Sequence, residues 1–358
     1  MAGFIDVRMA PVQFKRALGG GRGGLVCMRS KCYTVSKSIH YGAFLCFEGI
    51  RFFVREEDGA PAAVFLNLDH NLQRFRRSMA FYLSPEQEET IPSADELRDM
   101  VARYLGSRKM REFIAGMIAD RRYGYLRPYT LDEGLSIGVD FPSEPTIRIA
   151  AASFAGYLGE PFSGVVVPNI VRAVESNGTG ALKLGINYPV SIRAIRLARE
   201  HDPDAKAALL LDDRTWLPTR ERLVTEWDSS CCMFGLSDGT VVTIPDGPLI
   251  LPSVTVRGLR AVLKDMGVNV LTEDVSYGKL LDGFGGRLST VCSVGTAGVL
   301  NRTERLTMVL GQRAVKIHEV NKKAEVYHTL GQARERYLSL YTSRERPPED
   351  ITRDILAL

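Results

Sequence analysis

The stretch from Gly156 to Gly180 constrains this chain more than any other feature. It is rich in Gly, Pro, Ser and Asn around one short apolar patch, and such a composition favours turns and linkers over regular elements. It divides 358 residues into two parts, each long enough to bury a core of its own. The expected organisation is an N-terminal domain over 1–165, an interdomain loop over 166–178 and a C-terminal domain over 179–358.

Both parts mix strand and helix signals, which places the chain in the α/β class. The aromatic and β-branched run Tyr41 to Val54 and the apolar run Ala62 to Leu68 predict paired strands, with Asp58 and Gly59 as the hairpin turn. Three and four spacing of apolar residues predicts helices over Leu72 to Tyr82 and Ala94 to Leu105, the second with Ser93 at its N-cap. Strand-like runs follow at Gly124 to Arg127 and Thr146 to Phe154. In the second part Pro189 opens a helix through Arg199, since proline is tolerated at the first helical position. Strands are expected at Ala207 to Leu211, Cys231 to Leu236, Val241 to Ile244 and Val268 to Leu271, with a helix after Pro252 capped by Ser253. The glycine-rich segment Gly19 to Gly24 lacks the strand-then-helix frame of a phosphate-binding loop and reads as a surface loop.

Charge excludes one function class. With 46 basic against 42 acidic residues and a formal net charge of +4, the surface is nearly balanced and has no nucleic-acid footprint. No segment approaches the roughly 20 apolar residues that span a bilayer, and no opening stretch has the form of a secretory signal. The expectation is a cytoplasmic protein without a membrane partner. Six cysteines, Cys27, Cys32, Cys46, Cys231, Cys232 and Cys292, are too few for a disulfide scaffold and are not in metal-ligand spacing, so no metal is expected.

Lys183 lies between Leu182 and Leu184 in an apolar run read as a strand, ahead of the junction at Tyr188 and Pro189. Burying an ammonium is costly unless it is paired or neutralised, and a neutral amine attacks an aldehyde to form a Schiff base. The alternative, a lysine whose head reaches solvent at a strand edge, stays open on these residues alone.

The wider context narrows that choice. The segment "GTGALKLGINY", Gly178 to Tyr188, resembles the lysine segment of branched-chain aminotransferases, in which a tyrosine follows the lysine by five residues. Segments resembling the same family follow in the family's order: "HYG" and "FEGIR" within His40 to Arg51, "NLDHNLQRFRRS" from Asn67, "YLRP" from Tyr125, "LVTEWDSSCCMF" from Leu223, "PLILPSVTVRGL" from Pro248 and "GTAGVL" from Gly295. The resemblance runs from about residue 38 to 300. It implies the fold type IV architecture of pyridoxal phosphate enzymes, with a smaller N-terminal α/β domain and a larger C-terminal domain carrying a barrel-like sheet. It also implies a homodimer.

Carried over position by position, the resemblance makes Lys183 the catalytic residue, forming the internal aldimine with pyridoxal 5'-phosphate and then moving the substrate proton. Tyr188 would bond the cofactor's phenolic oxygen and Glu226 would pair with its ring nitrogen. Arg74, Val254, Thr255 and Thr296 would hold the phosphate. Tyr41, Phe47, Tyr125, Arg127 and Ala297 would contact the substrate, with Arg127 as a switchable carboxylate partner for glutamate.

The sequence also departs from the family pattern. One extra residue lies between Tyr41 and Phe47, which is expected to rebuild the pocket wall. Trp227, Asp228, Ser229, Ser230 and Cys231 replace a small-residue run, and Ser253 replaces a glycine. These departures point to a relative specialised for secondary metabolism. The leading reading is transamination between a hydrophobic or modified amino acid and 2-oxoglutarate. A lyase or decarboxylase on the same fold is the alternative, and a non-catalytic binding protein on a decayed scaffold is a third.

Overall fold

Asp58 and Gly59 both adopt positive φ, 50° and 82°, the backbone a two-residue type I′ turn requires. They join strands Ile50–Glu57 and Ala60–Leu66 in register Glu57 to Ala60. This hairpin sits inside an eight-stranded sheet in a computed structural model that describes residues 4–28, 37–157, 161–311 and 314–358. From one edge the order is Arg353–Ala357, Ala60–Leu66, Ile50–Glu57, Tyr123–Asp132, Pro145–Phe154, Val12–Ala17 and Gly24–Cys27. The short strand Arg8–Met9 also pairs with Pro145–Phe154.

Helices Leu68–Ala80 and Ala94–Leu105 cover one face of this sheet. Leu72, Phe75, Met79, Leu97, Val101 and Tyr104 from the helices share a core with Phe52, Phe65, Leu126 and Ile149 from the strands. The second helix begins as its sequence indicates: the Ser93 side chain accepts from the Glu96 N–H at 3.1 Å, and Glu96 accepts from the Ser93 N–H at 2.9 Å. Gly19 to Gly24 lies between paired strands Val12–Ala17 and Gly24–Cys27 as the connection of a hairpin.

Strand Tyr123–Asp132 alternates strictly between half-exposed and buried residues. Two-residue periodicity therefore puts Tyr125 and Arg127 on one face, with Leu126 and Thr130 on the other.

The second sheet closes on itself. Strands Val224–Trp227, Ala207–Leu211, Phe162–Val166, Val299–Val309, Leu288–Gly295 and Cys231–Leu236 follow one another around a ring, and the pairing of Glu226 with Cys231 joins the ends. Phe162, Val166, Leu209, Trp227, Phe234 and Met308 fill the interior, while the alternate residues Val165, Ala208 and Leu210 pack outside on helix Pro189–His201. Helices Val254–Asp265 and Glu325–Thr342 cover another side of the ring through Val262, Leu330 and Tyr337.

Two segments lie elsewhere than the expected division at 165 and 179 would put them. Phe162–Val166 is a barrel strand, paired in parallel on both sides, so the barrel body starts within the stretch read as a linker. Its short valine run is masked by the flanking Gly and Pro. The C-terminal strand Arg353–Ala357 returns to pair with Ala60–Leu66 in the first sheet. Cys32 lies outside the described residues. Among the described residues no helix is long and apolar enough to cross a membrane.

Candidate active site

Lys183 does not lie in a strand. Its neighbour Leu184 makes a single bridge, to Cys46, and the lysine sits in an irregular segment that is fastened on every side. The Lys183 N–H donates to the Ser78 hydroxyl at 3.0 Å, and its carbonyl accepts from the Phe47 N–H at 3.1 Å. The Gly185 N–H donates to the Leu45 carbonyl at 2.7 Å. Asn187, 2% exposed, reaches back with its amide to the carbonyls of Thr179 and Leu182. The lysine backbone is thus held between the first sheet and helix Pro189–His201.

The side chain enters a cavity. Lys183 Nζ donates to the Tyr188 hydroxyl at 2.9 Å and has no acidic partner among the described ion pairs. Its amine lies 5.1 Å from the Phe47 ring centroid, and the Phe47 and Tyr188 rings are 5.0 Å apart. Glu226 also lines the cavity, 4% exposed and ion-paired with Arg172. Burial raises the Glu226 carboxyl above its usual range, with Arg172 and then Lys183 pulling against that rise.

The anion end is the first turn of helix Val254–Asp265. Ser253 caps it by accepting from the Val256 N–H at 3.2 Å, and no described hydrogen bond uses the N–H of Val254 or Thr255. Free first-turn donors at the positive end of a helix form a phosphate site. Ser253, read from the sequence as a departure from the family pattern, acts here as the helix cap.

Arg74, Lys183, Tyr188, Glu226, Val254, Thr255 and Thr296 all line this one cavity, so the structure brings together every residue that the resemblance implied for the cofactor. Arg74 is more constrained than its sequence suggests. It grips buried Glu48 with two 2.7 Å bonds and donates to the Pro252 carbonyl at 2.6 Å, so much of its charge is already matched by a carboxylate.

The substrate candidates divide. Arg127 donates to the Tyr125 hydroxyl at 2.9 Å and stands 4.4 Å from the Phe47 centroid. Phe47 thereby contacts both Arg127 and Lys183. Tyr125 packs where Gly49 has no side chain, and the Thr296 hydroxyl donates to the Gly49 carbonyl at 2.9 Å. Ala297 follows in the turn between Leu288–Gly295 and Val299–Val309, and Arg51 donates to the carbonyls of both Thr296 and Ala297. None of the five substrate candidates is among the residues lining the cavity itself, and Tyr41 stands apart from the other four in ending helix Lys37–Tyr41 and being 44% exposed.

Two positions read from the sequence as departures turn their side chains into cores. Phe44, in the segment before Phe47, adopts a left-handed backbone (φ 52°) and is fully buried in the first core against Tyr82. The Trp227 indole points into the barrel, donating to the Cys292 carbonyl at 3.1 Å and packing edge-on to Phe162. Room for it exists because residue 164 is glycine.

Residues not singled out from the sequence complete the site. Arg172 lines the cavity, and Ser78 and Asn187 hold the lysine segment. Arg172 is hidden in a glycine-rich stretch, where its apolar neighbours Ile170 and Ala173 are the one available signal of burial. Asp228, noted from sequence only as a departure from the family, also lines the cavity. It has no cationic partner among the described ion pairs, and burial pushes its carboxyl up to about 6.

No family model matches the chain. It is 25% identical over 273 residues to a probable branched-chain-amino-acid aminotransferase of Staphylococcus aureus, covering 74% of this chain and 69% of that protein. It is 26% identical over 239 residues to the branched-chain-amino-acid aminotransferase of Helicobacter pylori, covering 64% of this chain and 63% of that protein. Among solved structures, the branched-chain aminotransferase of Thermoproteus uzoniensis with norvaline superposes with a TM-score of 0.66 at 20% identity, covering 96% of this chain and 99% of that one. The Escherichia coli branched-chain amino acid aminotransferase gives 0.68 at 20% identity, covering 93% and 95%.

The closed six-stranded ring beside an open antiparallel sheet is the fold type IV architecture of these structures. In sequence and in fold the chain is similar to the branched-chain aminotransferases.

Proposed function

We propose that this chain is a pyridoxal phosphate-dependent aminotransferase that moves an amino group between a hydrophobic or modified amino acid and 2-oxoglutarate. The observation that carries this reading is the one cavity lined together by the bonded pair Lys183 and Tyr188, by buried Glu226 and by Val254 and Thr255 of the helix N-terminus.

The donor set fits the group. A lysine without an acidic partner among the described ion pairs would supply the attacking amine, the tyrosine hydroxyl would hold the phenolic oxygen, the buried carboxylate the ring nitrogen and the helix N-terminus the phosphate. When bound, pyridoxal phosphate supplies an electron sink for the charge left as the substrate α-proton departs. Lys183 would hold the group through its amine, and that same amine, tethered beside the substrate α-carbon, would move the proton. Tyr188 orients the lysine through their 2.9 Å hydrogen bond. Phe47 excludes water from the lysine side, and Arg127 receives the side-chain carboxylate of glutamate in the returning half-reaction.

The altered run at Asp228, Ser229 and Ser230 lines the cavity and supports a specialised relative with a substrate range of its own. The row Leu135, Ile137, Val139 and Phe141, at 69%, 84%, 84% and 52% exposure, supports a homodimer, because an apolar loop of that kind is stable against a second copy.

A panel of amino donors incubated with 2-oxoglutarate and scored for glutamate tests the reaction. At least one hydrophobic donor should yield glutamate. Cofactor uptake with no glutamate from any donor would overturn transamination in favour of elimination or decarboxylation.

A further inference from the structure

Arg172 lines the cavity and ties together three separate segments around it. It forms an ion pair with Glu226, donates to the Gly180 carbonyl at 3.1 Å and donates to the Leu249 carbonyl at 3.3 Å. Gly180 leads into the Lys183 segment. Leu249 leads into the segment that ends at the anion-binding helix. These two segments are closely apposed, because a side chain at Gly180 would strike the backbone of Pro248 and Leu249.

Burial disfavours the charged form of Glu226, so its carboxylate depends on facing cations. It is buried, and the groups that face it are Arg172, Lys183, Arg74 and the Leu251 backbone on the stabilising side, with the neutral Cys231 thiol 4.0 Å away. Lys183 is committed to Tyr188 and Arg74 to Glu48. Arg172 is therefore the one cation in direct contact with the carboxylate among the described residues.

We propose that Arg172 is a positioning residue that keeps Glu226 ionised and fixes its distance from Lys183, so that the carboxylate meets a protonated ring nitrogen. The proposal rests on the pyridoxal phosphate reading for its consequence, and on the cofactor-free protein for its cause. Without Arg172, the buried carboxyl takes up a proton and meets the ring as a neutral acid. The ring nitrogen then loses the negative charge that holds its proton.

The test compares Arg172→Gln, Arg172→Lys and Glu226→Gln with the parent protein. In cofactor-free protein, infrared difference spectra of Arg172→Gln against the Arg172→Gln/Glu226→Gln double variant should show one protonated buried carboxyl at neutral pH, absent from the parent. In uptake of pyridoxal phosphate followed by absorbance, Arg172→Gln should weaken affinity by about tenfold or more at pH ~7, with the loss shrinking as pH rises and Glu226 ionises. Arg172→Lys, which keeps the charge but not the two carbonyl bonds, should restore the parent's pH dependence.

An Arg172→Gln loss that is the same factor at every pH, with no protonated carboxyl in the infrared difference, would overturn the proposal and leave Arg172 a structural clamp. A parent protein that takes up no pyridoxal phosphate would overturn the functional reading instead, and the infrared comparison would still decide Arg172.

Discussion

The Lys183 amine and the Tyr188 hydroxyl are 2.9 Å apart, although the backbone between them turns from an irregular segment through a short 3₁₀ turn at Gly185–Asn187 into a helix. Asn187 makes that geometry by gripping the carbonyls of Thr179 and Leu182. Replacing Asn187 with Ala removes a donor from each of these carbonyls in a buried setting. We expect a loss of about 1–3 kcal/mol in stability, read by urea unfolding, together with weaker uptake of pyridoxal phosphate. A variant with normal cofactor affinity would show that the lysine segment holds its place without this clamp.

Arg127 is bonded to Tyr125 and packed on Phe47. Arg127→Met should raise KM for 2-oxoglutarate by about tenfold or more, the equivalent of ~1.5–3 kcal/mol for a charge-assisted bond. KM for an apolar amino donor should change little. Equal effects on both substrates would remove the carboxylate role.

Asp228 ionises against its burial. Its ordinary value is 3.8 and the folded value is about 6, so the folded state holds the proton more tightly than the unfolded one. The stability this gives is fully present below pH 3.8 and is lost as pH rises through about 6. Asp228→Asn should therefore be more stable than the parent at pH ~7, by on the order of 3 kcal/mol. The two should converge toward pH ~4 in thermal unfolding. A stability difference independent of pH would contradict this.

Gly164 makes room for the Trp227 indole. A Cβ at 164 would lie 2.5 Å from the indole Cη2, so Gly164→Ala should destabilise the barrel by about 1–3 kcal/mol. Adding Trp227→Leu should recover part of that loss, because the smaller side chain vacates the same space. Strict additivity of the two changes in urea unfolding would mean that they do not compete.

What is legible in the sequence is local. Asp58 and Gly59 set their own backbone, Ser93 and Ser253 cap helices whose apolar spacing is visible, and Pro189 opens a helix where proline is tolerated. The candidate cofactor residues are legible because their order along the chain resembles one family. Long-range pairing leaves less trace. The closure of the barrel through Glu226 and Cys231, the return of Arg353–Ala357 to the first sheet and the fit of Trp227 against Gly164 depend on how distant strands come together, which no local pattern specifies. Trp227 and the extra residue before Phe47 look in sequence like changes to the pocket, because a sequence does not say on which side of a strand a deviation falls. The structure turns Trp227 into the barrel and Phe44 into the first core.

That Lys183 carries the cofactor is tested most directly by borohydride reduction of the protein loaded with pyridoxal phosphate, followed by peptide mapping. One stable adduct is expected, on the peptide containing Lys183, and none in Lys183→Ala, whose visible absorbance should also be lost. An adduct on another lysine, or one that persists in Lys183→Ala, would contradict that assignment.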